Sequence, residues 1–151
     1  MAYAVTGSPA EPFADAFLDR LLATSAVTAL VGTRISAALK AGVKTALPYV
    51  LGGRRDVLPG SVAMQKEGGE VAIWIDVWSE ANGPHEAHQI LSAIRAAMGR
   101  DVVLTIDGFT MYAGSLACDE ERVFQDDDTD MPQKSVWHGV QRWTADLEVE
   151  D

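Results

Sequence analysis

Residues 70–100 constrain the fold of this chain more than any other part of it. Val71, Ala72, Ile73, Trp74, Ile75, Asp76, Val77 and Trp78 make a β-branched and aromatic run long enough for a central strand. At period two, Val71, Ile73, Ile75 and Val77 share one face, while Trp74 and Trp78 share the other with Ala72 and Asp76. Both faces must therefore be at least partly covered. Asn82, Gly83 and Pro84 then punctuate the chain; Asn82 or Gly83 can cap a helix, and Pro84 suits its first position, where no N–H is needed. Ala87, Ile90, Leu91, Ile94 and Met98 form one apolar stripe, and Gly99 ends it. A strand feeding a helix of matched length predicts a sheet with a helix lying on it.

The flanking segments extend this layout. Residues 1–10 read as a flexible arm, and 11–151 as a single domain. From Pro12, the spacing of Phe13, Phe17, Leu18, Leu21 and Leu22 predicts a helix, and Ser25 can cap a second, short one ended by Gly32. Pro48 to Leu51 reads as a short strand, whereas 52–69 has no period and reads as a long loop carrying Arg54 and Arg55. Beyond the central helix, 101–106 reads as a short strand, Asp107 and Gly108 as a hairpin turn, and Phe109 to Phe124 as a further strand. An acidic loop with Asp126, Asp127, Asp128 and Asp130 precedes a long strand over 136–149. The fold class is α+β, a mostly antiparallel sheet packed by two main helices.

Charge narrows the function. Twelve basic against 22 acidic residues give a net charge of -10, the opposite of what a sequence-blind nucleic-acid binder needs. An acidic wall past which DNA slides without sticking remains compatible. The lone Cys118 excludes an internal disulfide framework and a cysteine-based zinc cluster. The first residues lack a signal-peptide pattern and no apolar run spans a bilayer, so the expectation is a chain made and kept in a cytoplasm, or in something assembled there.

No catalytic, cofactor or metal constellation survives inspection. His85 and His88 flank Glu86, but a zinc protease helix needs histidines four apart, and two solvated histidines account for a spacing of three. A calcium loop from Asp126 would need glycine and glutamate where Met131 and Trp137 stand. Cys118 with His138 as nucleophile and base lacks an orienting third residue, and a lone cysteine in an apolar strand is usually a small buried hydrophobe. Core filling accounts for about half of the four tryptophans. Trp74 and Trp78, on the second side of the sheet, instead suit anchors for a partner subunit.

Several spacings together resemble one family. Leu30-Val31-Gly32-Thr33-Arg34-Ile35, then Ala46-Leu47-Pro48-Tyr49-Val50, then Ile75-Asp76-Val77-Trp78, the helix from His88 to Met98 and the closing strand Gln141 to Leu147 look like tail completion (tail terminator) proteins. These belong to long-tailed bacteriophages and gene transfer agents. The resemblance implies a non-enzymatic virion protein, assembled in the host cytoplasm and placed at the head-proximal end of the tail. It implies a ring, generally of six subunits, that ends tail tube growth and meets the head connector or stopper, with DNA passing through the lumen. It implies no cofactor and no membrane. On this reading Arg54, Arg55 and the 52–69 loop reach a neighbouring subunit, with Asp126, Asp127, Asp128 and Asp130 as the partner of opposite charge. The alternatives are another neck component (a head-side stopper or the tube subunit itself), a small metal-assisted hydrolase using His85, His88 and acidic residues, and an acidic decoy or immunity-type protein that binds a basic partner.

Overall fold

The alternating run at 71–78 becomes the middle of a six-stranded sheet in the computed structural model, which describes residues 8–38, 45–58, 69–80, 83–99, 101–126 and 136–150. In chain order the elements are α1 (Ala10–Leu22), α2 (Ser25–Val31), β1 (Ile35–Ser36), β2 (Tyr49–Leu58), β3 (Gly69–Ser79), α3 (His85–Ala97), β4 (Phe109–Met111), β5 (Ala117–Asp126) and β6 (Val136–Val149). Strands run β1-β2-β3-β6-β4, and β5 also pairs with β6. Among the described residues all pairings are antiparallel except β1 with β2. The fold is α+β with a mostly antiparallel sheet, as the sequence predicts.

Helices α1, α2 and α3 lie on one face of the sheet. Val71, Ile73, Ile75 and Val77 of β3 and Trp143, Ala145 and Leu147 of β6 are buried there with Phe13, Phe17 and Leu21 of α1 and Ile90, Leu91 and Ile94 of α3. Side chains of α1 also fix the helix layer. Arg20 Nε donates to the Ala97 carbonyl (2.6 Å), placing a cation at the C-terminal end of α3, where free carbonyls gather. At the other end of α3, Ser79 Oγ donates to Glu86 (2.7 Å), tying the end of β3 to the first helical turn. The α3 boundary differs by one residue from expectation: Pro84 holds the cap position and the helix begins at His85. In the same way Thr24 precedes α2 at its cap, and its hydroxyl turns back to the Arg20 carbonyl rather than capping.

Three readings are corrected. The loop expected from Gly52 onward is strand as far as Leu58; β2 crosses a bulge at Gly52 and Gly53 and resumes pairing at Arg54. Gly52 sits close under α1: a Cβ there would stand 2.9 Å from Leu18 Cδ2 and 3.1 Å from Ile73 Cδ1, so these core methyls would have to shift. Gly52→Val is therefore expected to cost about 2 kcal/mol by overpacking and to lower Tm by roughly 4–8 °C. Thermal unfolding checks this against Gly53→Ala, where a Cβ meets nothing closer than 3.4 Å. Residues 59–68 of the expected loop lie outside the described residues.

The expected strand at 101–106 forms only one bridge, Ile106 to Phe109, around the Asp107-Gly108 turn. The expected strand from Phe109 to Phe124 is split into β4 and β5. Both pair with the same edge of β6, and Tyr112 to Leu116 form an excursion between them. That excursion stays tied to β6, with Tyr112 N–H donating to the Asp146 carbonyl and Asp146 N–H donating to Ser115 Oγ.

Candidate assembly face

The face of the sheet away from the helices carries the unabsorbed chemistry of the chain. Strand register arranges its side chains in rows that cross β2, β3, β6 and β5. One row is aromatic: Tyr49 pairs with Trp78, Trp78 with His138, and His138 with Phe124. The rings of Trp78 and His138 stack at 3.8 Å and 13°, Phe124 lies 4.8 Å from His138, and Tyr49 6.5 Å from Trp78. His138 Nε2 also meets Asp76 Oδ1 at 2.6 Å. Partial burial, followed by the charge of Asp76, raises the Tyr49 hydroxyl above its usual pKa and keeps it protonated. Phe124 ends the row 41% exposed.

A second row is cationic and aromatic. Arg54, Trp74, Arg142 and Glu120 are successive partners across the same four strands. The Arg54 and Arg142 guanidinium carbons lie 4.8 and 5.8 Å from the Trp74 ring centroid, so the indole serves two cations. Trp74 Nε1 donates to Asp56 Oδ2 (3.1 Å), and Arg142 pairs with Asp119. Trp74 and Trp78 are only half-buried. Tryptophan, tyrosine and arginine concentrated on one open face are the residue types that carry binding energy when a partner covers them.

Strand geometry separates the two arginines that the sequence places together, since successive strand residues face opposite ways. Arg54 stands on the open face with its side chain 67% exposed. Arg55 points to the helix side, its side chain 15% exposed and its Nη1 bonded to Glu11 at 2.5 Å. Arg55 thus ties β2 to α1, and the expectation that it reaches a neighbour is revised on that ground. Arg55→Glu is expected to set two carboxylates against each other and cost about 2 kcal/mol in monomer stability. Arg54→Glu is expected to cost the monomer less than about 1 kcal/mol and to weaken assembly up to about fivefold at low salt. Denaturant unfolding and sedimentation, run on both variants, separate the two roles. The backbone of Asp126 pairs with Val136 at the end of β5, and Asp127, Asp128 and Asp130 lie outside the described residues.

The remaining sequence candidates fall apart from one another. Cys118 pairs with Trp143 and packs against the core, five positions along β6 from His138 and on the other face. Its thiol donates to the Glu120 carbonyl, and burial raises its pKa, so it is held as an unreactive thiol. His85 and His88 are exposed and line a shallow hollow of about 370 Å³ with Leu30, Gln89 and Ser92. Among the described residues no three His, Cys, Asp or Glu side chains converge as a metal site would require. Sequence reasoning missed Arg142, His138 and Phe124 as members of the open face. The period of β6 places Arg142 and His138 on one side, but only the register of three strand pairs aligns them with the tryptophans.

A family model described as "Tail completion protein gp17" matches residues 15–145. The chain belongs to the tail completion protein family. The matched span runs from α1 through Ala145 of β6 and so includes both rows of the open face. The fold is also similar to that of a chain in a solved structure described as the virion of a native gene transfer agent (GTA) particle. The likeness has a TM-score of 0.73 at 24% identity and covers 97% of this chain and 98% of that one. No curated protein sequence matches.

Proposed function

We propose that this tail completion protein is a tail terminator: a structural, non-enzymatic component of the virion that forms a closed ring, of six subunits on the family resemblance, at the head-proximal end of the tail tube. The ring stops tube polymerisation and presents a surface to the head connector or stopper, while DNA passes through its lumen without sequence-specific contact. The observation that carries the reading is the family match over 15–145. Likeness to a chain described within an assembled particle supports it, and so does an open sheet face rich in half-covered tryptophan, tyrosine and arginine. A net charge of -10 suits a wall that DNA must traverse without adhering. Trp74, Trp78 and Arg54 are the interface residues on this reading, with Asp126, Asp127, Asp128 and Asp130 as acidic counterparts on a neighbour or on the connector.

The test is tube growth in vitro. Tail tube protein polymerised with sub-stoichiometric amounts of this chain is expected to give short tubes, each capped at one end in negative-stain images. Incorporation along the whole tube, or unaltered tube length, contradicts termination. Incorporation would favour the tube-subunit reading.

A further inference from the structure

The edges of the sheet carry the next step. Among the described residues no strand pairs with the outward side of β5 from Glu120 to Phe124, and β1 pairs with β2 at Val50 and Leu51. A long unpaired edge is a template for another strand unless the fold blunts it. β5 carries one irregularity, between Cys118 and Glu120, and from Glu120 onward its register is regular. Three of its carboxylates, Asp119, Glu120 and Glu121, are bridged to Arg142, Arg122 and Arg95, which lowers their repulsion of a neighbour. Beyond the bulge, the edge of β2 from Arg54 to Leu58, which no other described strand pairs with, runs antiparallel to β5 within the sheet, through β3 and β6.

We propose that copies of this chain join edge to edge, β5 of one copy adding antiparallel to the Arg54–Leu58 edge of β2 in the next. The inference deepens the ring reading above and rests on it. One register avoids β1 and pairs complementary side chains on the open face. It sets Arg122 opposite the next copy's Asp56 and Phe124 opposite its Arg54. Arg122 and Arg54 have side chains 62% and 67% exposed, and Phe124 is the exposed end of the aromatic row. Cross-strand ion pairs and arginine–aromatic contacts favour that alignment. The two edges differ, so the contact is heterologous, and head-to-tail repetition closes into a ring when the rotation permits.

Disulfide trapping in a Cys118→Ser background tests the geometry, with Arg54→Cys and Phe124→Cys introduced on separate full-length preparations. Directly opposed strand residues stand within bridging distance. Mixing the two preparations under mild oxidation is expected to give covalent dimers, neither alone should give any, and a chain carrying both substitutions should give a ladder of covalent oligomers. Dimers from Phe124→Cys alone would mean two-fold β5 to β5 pairing and overturn the proposal. Rings intact by sedimentation with no cross-link would overturn the edge contact and leave the ring reading standing. Monomers at every concentration, without cross-links, would overturn both.

Discussion

Trp143→Ala is expected to destabilise the monomer by about 4 kcal/mol and to lower Tm by roughly 8–16 °C. The indole keeps 3% of its surface and lies 5.7 Å from Phe17, joining the centre of β6 to α1. Its Nε1 donates to Gln141 Oε1 at 2.9 Å, and that fully buried amide in turn donates to the Leu91 carbonyl of α3 and to Glu121 of β5. Truncation therefore leaves both a cavity and an unmet acceptor at the junction of three elements. For a domain whose total stability is on the order of 5–15 kcal/mol, such a loss is large. Trp143→Phe retains most of the volume and loses only the donor, so it is expected to cost about 1–2 kcal/mol. Urea unfolding of both variants checks the pair; a loss below about 1 kcal/mol for the alanine variant would mean that the core does not depend on this ring.

Trp78→Ala is expected to do the reverse: little to the monomer, much to the assembly. Within the monomer the ring is half-exposed, and its stack on His138 contributes about 0.5–1.5 kcal/mol beyond burial. At a subunit interface a tryptophan of this kind contributes 2 kcal/mol or more, so the concentration needed for ring formation should rise about 30-fold. Sedimentation velocity across a concentration series reads the shift, and thermal unfolding of the monomer provides the control. Rings formed at unchanged concentration would remove the aromatic row from the interface.

Signals that keep one period along the chain survive folding. β3 and α3 were legible because each keeps one period throughout: two for Val71 to Val77, 3.6 for Ala87 to Met98. β2 was hidden because its bulge places two glycines mid-strand, and adjacent glycines read as a turn unless Leu18 and Ile73 are known to fill the space above. At 102–106 the alternation is real, since Leu104 and Ile106 are buried while Val103 is 52% exposed, yet a strand also needs a neighbour to pair with. The end of β6 at Leu147 to Val149 pairs with β4 instead. Trp74 and Trp78 could be assigned to the second face from spacing alone. Their partners Arg54, Arg142, His138 and Phe124 come from other strands, and no local pattern encodes a register set by three pairings.

The central claim is that the open face and edges of this sheet are kept for further copies of the chain and for the tail. Native mass spectrometry of the purified, full-length protein tests it most directly. One closed oligomer of fixed subunit number, shifted to monomer by Trp78→Ala, is the predicted spectrum. A monomer at every accessible concentration, for wild type and variant alike, would contradict it.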